Sequence, residues 1–133
     1  MPWKNKREDI IKGGFSTPLD APMIPSFPFT FRKCNIFTLV YRTDPEAIRA
    51  LLPEPLVPTG DEVMIHLYQM NDTDWLGPYN EANVMFGAEL PGRAVGSYSA
   101  YLFLSSDVGV THGREIHGQP KKFGKPKVEF RDD

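Results

Sequence analysis

The chain of 133 residues contains one cysteine, Cys34, so an internal disulfide is excluded and the lone thiol suits a reducing cytosol. Long apolar runs are also missing. Nothing approaches membrane-spanning length, and residues 1–12 are charged rather than built like a signal peptide. The expectation is a cytoplasmic, soluble protein with no membrane partner. Charge of one sign is scarce as well: 15 Lys and Arg against 17 Asp and Glu give a net charge of −2. The basic run from Lys121 to Lys127 therefore stands alone, without a recognised motif, and nucleic acid is not an expected partner. Gly113 and Gly118 have the spacing of a phosphate loop, but Gln119-Pro120 stands where Lys-Ser/Thr is required. His112, Glu115 and His117 lie close together, yet the order is not His-Glu-x-x-His and no second cysteine helps, so no metal is expected.

What is present fits one globular domain. The length allows a modest core, and 41% hydrophobic with 24% charged residues is ordinary for a soluble fold. Thirteen prolines and eleven glycines cut the chain into short elements, which favours strands over long helices. Residues Arg7 to Lys12 start a short helix ended by Gly13-Gly14, and the proline-rich segment Pro18 to Pro28 runs extended over a surface. Ile36 to Arg42 reads as a strand of β-branched and aromatic residues. Asp44 then caps a helix with Pro45 at its first position, and Pro53 stops it after about two turns. Ile48, Leu51 and Leu52 share one face of that helix and are expected in the core.

Glu62 to Met70 alternates as a strand, with Val63, Ile65 and Leu67 on one face and Met64, His66 and Tyr68 on the other. Asn71 to Glu81 reads as a polar and aromatic loop. Val84 to Leu90 and Val95 to Ser105 form two strands split by the turn Pro91-Gly92. Ser106 to Glu115 reads as a short helix, and Lys127 to Arg131 as a last strand. The fold class is mainly β with few short helices, an antiparallel sheet or barrel.

The most informative stretch is Gly113 to Lys127, where Lys121 and Lys122 follow a proline and precede Phe123-Gly124, with no acid nearby in sequence. A Lys-Lys pair in a Pro/Gly-rich segment reads first as a solvated turn. The sharper reading is a Schiff-base site, since a like charge and an apolar wall both favour the neutral, nucleophilic amine. Half neutrality near pH 7 requires a loss of about 3 to 4 pKa units, or roughly 4 to 5 kcal/mol. One cation about 7 Å away supplies only about 2 kcal/mol at an effective dielectric near 20. Consecutive side chains of an extended segment point opposite ways, so Lys122 need be no nearer. Desolvation is therefore expected to be the larger contribution, with Phe86, Phe103 and Phe123 as candidate walls.

Five segments together carry a family resemblance: Phe15-Ser16-Thr17-Pro18-Leu19, Val40-Tyr41-Arg42-Thr43-Asp44, Leu52-Pro53-Glu54-Pro55-Leu56, Gly77-Pro78-Tyr79-Asn80-Glu81, and Gly113-Arg114-Glu115 followed by Pro120-Lys121-Lys122-Phe123-Gly124. In this order and spacing the sequence resembles acetoacetate decarboxylase. Family members are about twice as long, so residues 1–133 resemble their N-terminal half, a partial large antiparallel β-barrel apparently lacking the later strands. The resemblance implies that Lys121 forms an iminium with a small β-keto acid, that Lys122 is the neighbouring cation, and that Glu81 orients substrate or handles protons. It also implies homo-oligomers and no cofactor, because the iminium is itself the electron sink. The resemblance further implies that the lysine is activated by desolvation in an apolar pocket or by a neighbouring cation.

Two positions depart from the family. Cys34 stands where the substrate-carboxylate arginine falls, and His66 where a second active-site glutamate falls. Arg32, two residues before Cys34, projects from the same face of an extended strand and is the candidate replacement for binding the carboxylate. His66 is a candidate substrate-binding group or proton carrier, although a single strand histidine is more often structural. Trp75 and Tyr79 are candidates for the pocket mouth. Relatives that use the same lysine for aldol condensation and dehydration supply the alternative chemistry, and a non-catalytic, ligand-binding barrel segment is the third reading.

Overall fold

The computed structural model describes residues 6–13, 16–19, 21–24 and 27–129. Its centre is one five-stranded sheet in the order β1 (Phe31–Arg42), β2 (Val57–Thr73), β3 (Tyr79–Leu90), β4 (Ala94–Leu104), β5 (Lys121–Phe123). The first four strands pair antiparallel with their sequence neighbours. β5 instead runs parallel to β4. Among the described residues, three helices accompany the sheet: α1 (Arg7–Gly13), α2 (Pro45–Arg49) and α3 (Asp107–His117).

Local chemistry explains the turns. Asp44 accepts the Glu46 N–H at 2.9 Å and Pro45 begins α2, which lasts only to Arg49. Ile48 is buried as expected, but Leu51 is exposed, because it lies beyond the helical residues and has left the face that Ile48 occupies. The Pro91-Gly92 turn closes β3 onto β4 with Arg93 N–H on Leu90 O at 3.0 Å and Gly92 at φ 71°, the pattern of a type II turn. Ser106 caps α3 by accepting the Gly109 N–H at 3.1 Å. Gly118 ends it in the left-handed region, at φ 63°.

Each sheet face has its own core. On one, Ile48 of α2 packs with Val63 and Phe86, flanked by Leu52, Val84 and Tyr98. On the other, Leu76, Tyr79, Leu102 and Leu104 pack with Phe29, Met70 and the α3 residues Val108 and Val110. The edge strand β1 is poorly covered on both faces. Ile36 and Val40 on one, and Phe37, Leu39 and Tyr41 on the other, are all about half exposed.

The mainly β expectation holds, with three corrections to its elements. The loop placed over Asn71 to Glu81 is shorter, since β2 continues to Thr73 and β3 begins at Tyr79. No strand forms over Lys127 to Glu129, and Phe130 and Arg131 lie outside the described residues; the last strand is β5 instead. Segment Pro18 to Pro28 is not wholly superficial. Ile24 is fully buried, with its N–H donated to the buried Ser16 Oγ at 3.1 Å, while Asp20, Pro25 and Ser26 lie outside the described residues.

Candidate active site

The strand register assembles the site. Residues paired across neighbouring strands share a face, so Thr38, His66, Asn83, Leu102 and Lys121 form one row across β1 to β5. The next row on that face is Ile36, Tyr68, Glu81, Leu104 and Phe123. Glu81 therefore sits one step along the strand from the row of Lys121. Its carboxylate reaches across: Lys121 Nζ lies 3.5 Å from Glu81 Oε2, and the two side chains are only 8% and 10% exposed. A lysine and a glutamate this dry are held by one another, since burial is costly for either charge alone.

Helix α3 supplies the lid over the lysine stem. Gly113 passes so close that a Cβ built there would lie 2.1 Å from Lys121 Cδ and 2.5 Å from Cε. Only the absence of a side chain lets the stem cross the helix at this point. The backbone of Lys121 is fixed as well, with its carbonyl accepting from Arg114 Nη1 at 3.1 Å and its N–H donated to Gln119 O at 2.8 Å. Beside Gly113, His112 is buried with its ring among Phe29, Phe27 and His117.

These surroundings shift the neighbouring acids and bases. Burial pushes the Glu81 carboxyl above the usual carboxylate range, and the Lys121 cation only partly offsets that. Burial followed by the Glu81 charge raises the Tyr68 phenol, and the same two causes raise Tyr79 well above its ordinary value. His112 is lowered, first by burial and then by His117 and Lys121. Among the described residues, no group of three or more His, Cys, Asp or Glu is placed to hold a metal.

The structure brings together Lys121 and Glu81, and leaves His66 on the same face but on β2, with β3 and β4 between it and Lys121 and its Nδ1 on Thr38 Oγ1 at 2.9 Å. It does not bring in the other two candidates. Lys122 pairs with Phe103, points to the opposite face and is exposed. Arg32 is half exposed and engaged by Asp74 Oδ1 at 2.5 Å and Asp72 Oδ1 at 3.8 Å. Asp74 is committed to that role: the Thr30 N–H, donated at 2.7 Å, and then Arg32 hold its carboxyl below the usual range.

The candidate walls are also corrected. Phe86 belongs to the opposite core, Phe103 lies on the Lys122 face, and Phe123 is 61% exposed. Leu102, the Gly113 backbone and the Glu81 side chain take their place around Lys121. Tyr79 is part of the core beside the site rather than its mouth, and Trp75 is exposed. Sequence does not point to Asn83, and it points to His112 only as a rejected metal ligand. The alternation Tyr79, Glu81, Asn83 would have found the first, had the strand start been placed correctly.

Comparison with known proteins bears on the family and the fold. The acetoacetate decarboxylase family model matches residues 16–133. The acetoacetate decarboxylase of Chromobacterium violaceum is 35% identical over 128 residues, which is 96% of this chain and 52% of that protein. A solved structure described as structural studies of acetoacetate decarboxylase superposes with a TM-score of 0.81 at 34% identity, covering 97% of this chain and 52% of the other. The Legionella pneumophila acetoacetate decarboxylase gives a TM-score of 0.76 at 29% identity, with 97% and 52% covered. The chain thus spans about half the length of the relatives it matches. From residue 16 onward, in sequence and in the strand order that carries Lys121 to Glu81, this chain belongs to the acetoacetate decarboxylase family.

Proposed function

We propose that the protein is a lyase that decarboxylates a small β-keto acid, of the acetoacetate type, through a Schiff base at Lys121. The observation that carries this reading is the dry Lys121–Glu81 pair. Nothing about packing requires a lysine here, and a buried ion pair is weak support for stability. Its value is chemical. Glu81 is the kind of carboxyl that takes up a proton readily, because burial already favours its neutral form. Passing one proton from the ammonium to this carboxylate leaves a neutral amine beside a carboxylic acid.

The neutral Nζ adds to the ketone carbon, and loss of water gives the iminium. The bond to the carboxylate carbon then breaks, carbon dioxide leaves, and the electron pair moves through the new carbon–carbon double bond onto nitrogen. Glu81 gives its proton to the hydroxyl that leaves as water, takes another from solvent, and passes it to the enamine carbon once carbon dioxide has gone; hydrolysis then frees the ketone and restores the lysine. His66 and Tyr68 stand on the same face as Glu81, and in this reading they border the substrate. Lys122 takes no direct part in this scheme.

Arg32 supports a second reading. Because Asp74 and Asp72 already hold it, it is not a free partner for a substrate carboxylate. A neutral ketone or aldehyde entering aldol and dehydration chemistry at the same lysine needs no such partner. We further read the apolar, half-exposed edge strand β1 as a contact surface of a cytoplasmic homo-oligomer.

Borohydride reduction in the presence of acetoacetate tests the lysine. A stable adduct on the Lys121 peptide is expected, accompanied by carbon dioxide release without borohydride. An adduct without gas release favours the aldol reading, and no adduct at all removes both.

A further inference from the structure

Buried polar atoms in folded proteins are nearly always hydrogen-bonded, and the exceptions call for a reason. Among the described residues, two side-chain atoms are buried without a partner, Asn83 Oδ1 and His112 Nε2. The histidine ring is nested among aromatic rings. The asparagine is different. It is 7% exposed, stands two residues after Glu81 on the same face of β3, and lies in the row of Lys121 with Leu102 between them. Its orientation is set by its other contact, Nδ2 to Met85 Sδ at 3.7 Å. A thioether sulfur can only accept, so the amide nitrogen belongs on that side and the oxygen is left as an acceptor with no donor. Met85 follows Asn83 along the strand, and Glu81 precedes it on the same face.

We propose that Asn83 Oδ1 accepts a hydrogen bond from a hydroxyl on the substrate, so that the preferred compound is a small ketone or oxo acid hydroxylated near its carbonyl. The inference rests on the Schiff-base reading of Lys121, which fixes where the carbonyl carbon is held. A plain β-keto acid at neutral pH presents only acceptors, its carbonyl and carboxylate oxygens. Bound here, it would leave Asn83 Oδ1 buried and unpaired. A hydroxyl satisfies it, and a site built around such a bond rejects the analogue that lacks the donor far more strongly than an apolar pocket rejects by size.

Butanone and its terminally hydroxylated analogue isolate the effect, since both are neutral ketones that differ in one hydroxyl. Borohydride trapping at Lys121, followed by peptide mass over a concentration series, is expected to reach half-saturation at about tenfold lower concentration for the hydroxylated ketone. In Asn83→Leu the two curves should coincide. Equal curves in the unsubstituted protein, a comparison that needs no variant to fold, overturn the role, as does a preference that survives in Asn83→Leu. If neither ketone is trapped, the lysine reading fails instead, and calorimetric binding to Lys121→Met decides on Asn83 separately. Preferential binding of the hydroxylated ketone that disappears with Asn83→Leu supports the assignment; equal or absent binding removes it.

Discussion

Replacing Gly113 by alanine separates the stability of α3 from the placing of Lys121. In a helix interior the change gains roughly 0.5–1 kcal/mol from backbone entropy. Against this, the new methyl group would sit 2.1 Å from Lys121 Cδ and 2.5 Å from Cε, with Gln119 Oε1 at 2.9 Å. Those are mid-stem atoms of a buried side chain, not a free tip, so the lysine must move by an ångström or more. Overpacking of this kind costs about 1–3 kcal/mol, which leaves a net loss of about 0–2.5 kcal/mol. The amine, by contrast, leaves its position beside Glu81, and a displacement of about 1 Å lowers a positioned reaction by roughly a hundredfold. Urea unfolding and the rate of borohydride trapping with acetoacetate measure the two effects side by side. Gly96→Ala serves as the control, because a Cβ there meets open space. A folded Gly113→Ala protein that is trapped as fast as the unsubstituted one would refute the claim that α3 positions the lysine.

Lys121→Met should abolish trapping, whereas Lys122→Ala should leave its rate within about twofold, because an exposed charge on the opposite face is screened by water; a tenfold loss would return Lys122 to the site. Arg32→Ala should change KM for a keto acid and for a neutral ketone by the same factor, given its engagement with Asp74 and Asp72. A selective rise for the keto acid in steady-state assays would show that it binds the carboxylate. His112 has a depressed folded value, so its neutral form contributes stability that is present above the unfolded value near 6.5 and lost as pH falls through the folded one. His112→Phe, which fits the same aromatic nest, should therefore gain on the parent protein as pH drops from about 7 to 5, by at most about 1.4 kcal/mol per pH unit. Urea titrations that keep a constant gap between the two proteins over that range would contradict this.

Much of the fold was legible because its signals are local. Asp44-Pro45 and Pro91-Gly92 fix their turns through capping and dihedral preference, and the alternation from Val63 to Tyr68 separates the two faces of β2 correctly. The site was legible in part for a similar reason: Lys121 and Glu81 were found through motifs. The buried pairing between them depends on a non-local register that no short window contains. Glu81 looked like a loop acid because Gly77-Pro78 suggested a longer loop, while tertiary pairing starts β3 directly after it. Arg32 shared a face with Cys34 as alternation requires, but its aspartate at position 74 lies 42 residues away in sequence and could not be anticipated. Lys127 to Arg131 has strand-like residues, yet Lys127 to Glu129 join no ladder.

The three residues of β5 also decide which of two chemically identical amines faces Glu81. Strand parity is the whole distinction: shifting that segment by one position against β4 would send Lys122 inward and turn Lys121 out to water. Arg114 on the Lys121 carbonyl and the Gly124 N–H on Leu104 O at 2.8 Å are the pins that hold the phase. A buried amine chosen by odd-or-even count is unforgiving of insertions. One extra residue between Gly118 and Lys121 would leave every side chain needed for the chemistry in the chain and still place the wrong amine against Glu81.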